Sequence, residues 1–261
     1  MPFHLNDQIR YYTFESLDQL HIPHAVISRQ GGVSPAPWDS LNFGSTVGDE
    51  PARVAANHDL AFAAVGINRQ NIHDVWQVHG NDVVVVDGPR QQTEPYIKAD
   101  SMLTAAHGVV LFMRFADCVP ILLAAPEKRV IGLVHAGWQG TVKQAVVKAV
   151  ELMCNQFDVA SKEIYAAIGP SIGPDHYEIG EEVVNQFHRS FGAASASLVH
   201  RVNGSVHLDL WAANEYLLKL AGVTLVENAR VCTACHPDDW YSHRRDRGKT
   251  GRFGVYITLP G

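Results

Sequence analysis

Cysteine is scarce in this 261-residue chain, with Cys118, Cys154, Cys232 and Cys235 the four present. That number and scatter exclude a disulfide-stapled scaffold and fit a compartment that keeps thiols reduced. Long apolar runs are missing as well, none approaching the roughly 18 residues of a membrane span. The opening MPFHLNDQIRYYTF has neither the basic nor the apolar region of a signal peptide, so a cytoplasmic protein without a membrane partner is expected. Positive charge is not in excess, at 21 Lys and Arg against 27 Asp and Glu, which argues against a nucleic-acid partner. P-loop and dinucleotide fingerprints, internal repeats and low-complexity linkers are all absent.

What is present is apolar material for a sizeable core, at 46% of residues. Helical periodicity marks 51–65, with a capping-type start at Asp49, and also 139–157, 181–191 and 209–220. Strand-like runs cover 24–29, 83–87, 109–115, 121–125, 130–135, 164–168, 230–232 and 254–259. Strands outnumber helices and several read as hairpins. The fold class expected is therefore mixed α/β, with mixed sheets covered by helices rather than one doubly wound parallel sheet.

Three segments each end an apolar run with a soft or borderline metal ligand: QVHG (77–80), RFADCVP (114–120) and GLVHAGW (132–138). The ligands are His79, Cys118 and His135, a set that suits Zn²⁺ with one position left open for chemistry. The stretches 120–125 and 129–137, joined by Pro126-Glu127-Lys128, read as a hairpin that makes Cys118 and His135 neighbours. Asp117 is placed to orient a ligand or a substrate hydroxyl from behind. The plainer alternative makes Cys118 a small buried hydrophobe and the two histidines hydrogen-bonded strand-end residues. A metal-free hydrolase with Cys118 as nucleophile and His135 as base is also chemically sound.

Two glycine-rich turns, SRQGGVS (28–34) and AIGPSIGPDHYEIG (167–180), offer Arg29 and the Ser171 hydroxyl as donors to phosphate or sugar oxygens. The segment CTACHPDDWYSHRRDRGKTGR holds a CxxC followed by His236, half of a structural zinc site with no second CxxC to complete it. It also holds a cationic run, Arg244, Arg245, Arg247, Lys249 and Arg252, where phosphate could sit.

Taken in order with RQGGVS and DSLNFG, the motifs QVHG, RFADCVPILLAA, GLVHAGWQGTV, AAIGPSIGPDHYEIG and SHRRDRGKTGR resemble the bacterial laccase-domain, or polyphenol-oxidase, family, whose members are now described as purine nucleoside phosphorylases. The resemblance runs over nearly the whole chain and implies one domain over 1–261, a four-layer α/β/β/α sandwich akin to a deamidating toxin domain, and zinc on His79, Cys118 and His135, with copper the alternative metal. It implies phosphorolysis of adenosine, inosine and methylthioadenosine, with adenosine deamination as a companion activity, in a monomer or small homo-oligomer. Asp117 joins the three ligands as a catalytic candidate, and contacts to nucleoside and phosphate are expected from Arg29, Asn42, Gln77, Arg53, Ser171, Arg244 and Arg245. The chain departs from the family pattern at His58, usually arginine, and at His243, usually aromatic, which puts the phosphate contacts in question and points to Arg53. Three competing readings remain: a hydrolase editing UDP-linked peptidoglycan precursors, a zinc-stabilised binding module, and a copper phenol oxidase. The oxidase would need more ligands than three, and no His-x-His pair occurs here.

Overall fold

The computed structural model describes residues 3–91, 93–202 and 204–260; Met1 and Pro2 of the opening segment lie outside the described residues. In chain order the first strands and helices are β1 (Phe3–Asn6), β2 (Ile9–Tyr12), α1 (Glu15–Gln19), β3 (His24–Ile27), α2 (Pro51–Ala64), β4 (Ile72–Asp74), β5 (Val83–Val85) and β6 (Ser101–Thr104). Then come β7 (Val110–Phe115), β8 (Val119–Ala125), β9 (Val130–Ala136), α3 (Trp138–Val142), α4 (Ala145–Phe157) and β10 (Tyr165–Ile168). The chain continues through α5 (Glu181–Phe191), β11 (Val199–Val202), β12 (Ser205–Leu208), α6 (Leu210–Leu220), β13 (Leu225–Asn228) and β14 (Phe253–Thr258). Two six-stranded mixed sheets result, ordered β1-β2-β3-β14-β7-β4 and β13-β10-β8-β9-β6-β5, with β11-β12 a separate hairpin.

The period-2 alternation of the strands builds the layers. On β8, Ile121, Leu123 and Ala125 face one way, into a core shared with Val146, Val150 and Met153 of α4 and Leu217 of α6. Leu122 and Ala124 face the other way and meet Leu111, Met113 and Phe115 of β7 and Val255 of β14 between the sheets. The outer face of the first sheet, through Val110, Phe112 and Tyr256, packs on Ala61 and Phe62 of α2. The order is helix, sheet, sheet, helix, the four-layer sandwich that the family resemblance implies. Because both faces of β8 and β9 are covered, every residue of the two strands is buried. Their ends are therefore rigid places from which to aim side chains.

Four local expectations need correction. The single helix expected over 139–157 is two helices, since Gln144 adopts a left-handed conformation (φ 59°) and the Lys143 carbonyl accepts a bond from Asn81 Nδ2. The strand expected at 230–232 is reduced to one parallel bridge between Ser171 and Cys232, and the neighbouring β13 pairs with β10 instead. Asp49 does not cap α2 from the N-cap position, which is Glu50. Its carboxylate accepts bonds from Ser34 Oγ, Asn42 Nδ2 and the Glu50 amide, tying the 28–34 loop to the helix start. The strands β1, β2, β4, β6, β11, β12 and β13 were not foreseen, being short runs of three or four residues. Among the described residues, no helix is long and apolar enough to cross a membrane.

Candidate metal centre and its cavity

The β8–β9 hairpin sets the centre. Its register pairs Val119 with Ala136 and Pro120 with His135, so Cys118, one residue before β8, lies beside His135 near the end of β9. His79 arrives from the turn between β4 and β5, and the ligand atoms of all three residues lie within 4.8 Å of one another. The His79 and His135 rings meet edge-on at 5.0 Å. Phe115 covers His135 from the sheet interface at 5.4 Å.

The element that organises these three is Asp100, which stands just before β6 and is fully buried. Its Oδ1 accepts from His135 Nδ1 at 2.7 Å and from the His79 amide at 3.0 Å. Its Oδ2 accepts from the amides of Gly80 and Val78 at 2.6 and 3.2 Å. Burial alone would raise the carboxyl, but His135 and these amides hold it below its usual range. The bond at Nδ1 leaves Nε2 as the remaining donor of the His135 ring, the arrangement that fixes tautomer and orientation in histidine–metal sites. The amide bonds also hold His79 in a left-handed conformation (φ 58°) that a non-glycine residue seldom adopts.

Burial works against a charged Cys118, yet His135 and His79 outweigh it and hold the thiol down to about 6. His135, despite its own burial, is pushed up to about 9 by Cys118 and Asp100. Thiol and imidazole thus each favour the other's charged form. Binding a dication replaces the imidazolium proton, since nitrogen and sulfur ligands must be deprotonated. The donor set, with one face open to a cavity, thus fits a borderline metal ion.

Gly137 makes room for the cluster, because a Cβ there would lie 2.8 Å from Cys118 Sγ and 3.3 Å from His79 Cδ2. Gly137→Ala is expected to push a ligand aside and weaken metal binding by about 10- to 100-fold, the range found when the support of a metal ligand is disturbed. A chelator-competition titration reads this, and wild-type affinity in the variant would contradict the packing account.

The cluster forms the floor of a cavity of about 590 Å³ whose walls include Trp76, Tyr96, Trp138 and Tyr177. Trp76 and Tyr96 are exposed at 48% and 42%, with rings 6.2 Å apart. Three guanidinium groups also line it. Arg114 is bound to Asp74, but neither Arg244 nor Arg252 pairs with a carboxylate among the described residues. Arg244 bonds the Glu178 carbonyl and lies over the Tyr177 ring, whereas Arg252 bonds the carbonyls of Thr250 and Gly251. Burial lowers the Arg252 pKa, so a bound anion would relieve that cost.

Of the eleven residues expected to act in catalysis or to contact substrate, His79, Cys118, His135, Asp117, Gln77 and Arg244 line this cavity, joined by Arg252 of the cationic run and by His243. Asp117 Oδ1 accepts from the Thr233 hydroxyl and Oδ2 from the Arg244 amide, each at 2.6 Å, so Asp117 positions the arginine-bearing loop. Both ends of the Gln77 amide are spent on the Arg114 backbone. The other five lie outside the cavity lining. Arg29 pairs with Asp39 and stacks on Tyr241, Arg53 pairs with Glu50, and Arg245 pairs with Asp246. Asn42 bonds Asp49 and receives the Arg252 amide, which supports the cavity wall from behind. Ser171 accepts from Trp211 Nε1. His58 is enclosed by Phe43, Phe62 and Phe112, where burial holds it down to about 4, so it stays neutral. Sequence reasoning missed Asp100, for which the only signal was an acid opening a buried strand, and the aromatic walls.

A family model described as multi-copper polyphenol oxidoreductase laccase matches residues 23–260. A Deinococcus radiodurans protein named purine nucleoside phosphorylase is 41% identical over 92% of this chain and 90% of its own length. The Geobacillus stearothermophilus purine nucleoside phosphorylase YlmD is 34% identical over 89% of this chain and 88% of its own. The crystal structure of YlmD from Geobacillus stearothermophilus superposes with a TM-score of 0.92 at 30% identity, covering 99% of both chains. That of Bacillus licheniformis YfiH gives 0.89 at 27% identity with the same coverage.

Proposed function

Since the chain belongs to the multi-copper polyphenol oxidoreductase laccase family, and relatives similar over nearly its whole length are named purine nucleoside phosphorylase, we propose that it cleaves purine nucleosides with phosphate in the cavity above His79, Cys118 and His135. One observation carries the reading: a three-ligand nitrogen and sulfur centre and two arginines, Arg244 and Arg252, without carboxylate partners among the described residues, line the same aromatic-walled cavity. Its volume, about 590 Å³, is that of an ordinary small-molecule site. Two His and one Cys fit zinc better than a multicopper centre, because each cluster of this kind among the described residues offers three ligands.

Zinc held by His79, Cys118 and His135 would supply a fixed positive charge and Lewis acidity. Arg244 and Arg252 hold the phosphate dianion by charge-assisted hydrogen bonds. Trp76, Tyr96 and Trp138 offer ring faces for the base, and an apolar wall that thins the water around the reacting carbon. A phosphate oxygen then forms its bond to C1′ as the bond from C1′ to the base nitrogen breaks. The electron pair leaves with the base nitrogen, which takes up the proton of the hydrogen phosphate dianion, and the products are free purine and ribose 1-phosphate.

Zinc-loaded protein given adenosine, inosine or methylthioadenosine should release free base only when phosphate is present, with ribose 1-phosphate in equal amount. Inosine from adenosine without phosphate would indicate hydrolytic deamination instead, and no turnover of any nucleoside would sink the reading. Arg244→Ala is expected to raise KM for phosphate about 10- to 100-fold, from the loss of about 1.5–3 kcal/mol of charged hydrogen bonding, while Arg53→Ala stays near wild type. Equal effects from the two variants would contradict the assignment.

The line Cys118–His135–Asp100 favours a second reading, a metal-free cysteine hydrolase in which Asp100 holds the imidazole that activates the thiol. Its activity, for example on peptidoglycan precursors, would survive chelation and end on alkylation of Cys118.

A further inference from the structure

We propose that His176, Cys232 and Cys235 form a second site for a thiophilic divalent cation of the zinc class, separate from the centre above. His176 lies between β10 and α5, and the two cysteines lie between β13 and β14. The two segments run side by side through the Ser171–Cys232 bridge, with the Ser171 amide on the Val231 carbonyl and the Thr233 amide on the Ser171 carbonyl. His176 Nδ1 lies 3.5 Å from Cys235 Sγ and 3.9 Å from Cys232 Sγ, and the three ligand atoms are all within 4.8 Å of one another. A tetrahedral zinc, with Zn–S about 2.3 Å and Zn–N about 2.0 Å, has a nitrogen–sulfur edge of about 3.6 Å. The geometry is thus close to closed around an ion.

The ligand pattern is one the sequence half-declares. Cys232 and Cys235 have the CxxC spacing of zinc sites. The adjacent His236 is not part of the cluster: its Nδ1 bonds the Cys232 carbonyl at 2.9 Å, and its ring does not join the three ligand atoms that lie within 4.8 Å of one another. The third ligand comes from His176, far upstream in sequence. Cys232 is buried and its sulfur receives the Gly173 amide at 3.2 Å, which fixes its direction. His176 and Cys235 are exposed, so an ion has an entry path and its fourth position opens to water.

Such an ion would brace one wall of the first cavity. Tyr177 follows His176 and lies under Arg244, while Thr233, between the two cysteines, donates to Asp117 beside Cys118. The cation therefore cross-links the two segments that hold the phosphate-facing arginine.

The test uses full-length His79→Ala/Cys118→Ser protein, in which the first centre is disabled, loaded with Co²⁺ under reducing conditions. One equivalent should bind with a strong thiolate-to-cobalt absorption, and adding Cys235→Ser should abolish both. His176→Ala, at an exposed position, serves if that variant fails to fold. In the otherwise unaltered chain, zinc content should fall from two equivalents to one on Cys235→Ser. Absence of cobalt binding in the His79→Ala/Cys118→Ser protein would overturn the proposal. So would an intact mass two hydrogens low with two unreactive thiols, which assigns the pair to a disulfide. Phosphorolysis at the first cavity is read separately, by its dependence on phosphate and on metal at His79, Cys118 and His135.

Discussion

Alanine in place of His79, Cys118 or His135 is expected to remove the metal from the first centre and the turnover with it. Zinc sites with four protein ligands bind with about 10–16 kcal/mol, which is about 3–4 kcal/mol per ligand, so one lost ligand weakens binding by about 10²- to 10³-fold. The cost falls differently in the three. His135 is buried under Phe115 and bonded to Asp100, so His135→Ala also opens a cavity and strands a carboxylate in the interior. His79 is exposed, and His79→Ala should cost little stability. That variant is the cleaner test, with metal content and turnover measured on one preparation whose melting temperature is near wild type. Turnover that persists in metal-free His79→Ala protein would remove the metal from the mechanism.

The second large effect belongs to Asp100→Asn. The substitution keeps size and removes the charge that holds the His135 ring with Nδ1 toward the carboxylate and Nε2 toward the cavity. Loss of an orienting carboxylate behind a ligating histidine costs about 10- to 100-fold in metal affinity or activity. There is a stability cost as well, because Asp100 accepts from the Val78, His79 and Gly80 amides, and the amide group of asparagine presents only one oxygen to them. Donors left short in the interior cost about 1–3 kcal/mol, which a shift in denaturant midpoint would register. Both effects should appear together, since the same carboxylate fixes the turn carrying His79 and the ring of His135. An asparagine variant with wild-type zinc affinity would show that the ligands are held by something else.

The hairpin and its consequence were open to reading in the chain, because Pro126-Glu127-Lys128 divides two apolar runs and a hairpin brings its two ends together whatever the rest of the fold does. That local logic places Cys118 beside His135. Asp100 was not open to reading: it meets His135 across two strands, 35 residues away in sequence, and nothing in its neighbourhood announces the partner. The arginines show the same limit. Sequence picks out a cationic run, but which members can hold an anion depends on their partners, and Arg245 is bound to Asp246 and Arg29 to Asp39 while Arg244 and Arg252 face the cavity. Helical periodicity carried 139–157 as one element, since the break at Gln144 is a backbone event with no compositional mark. The CxxC was visible, whereas its histidine partner required the bridge between Ser171 and Cys232 to bring His176 alongside.

The most direct measurement is turnover of adenosine with phosphate during titration of metal-free Cys235→Ser protein with zinc, in a background where only the first centre should bind. The account predicts that release of adenine and ribose 1-phosphate climbs from background in proportion to zinc and levels off at one equivalent. Full activity before any zinc is added, unchanged by chelator, would contradict it and turn attention to Cys118 as a nucleophile.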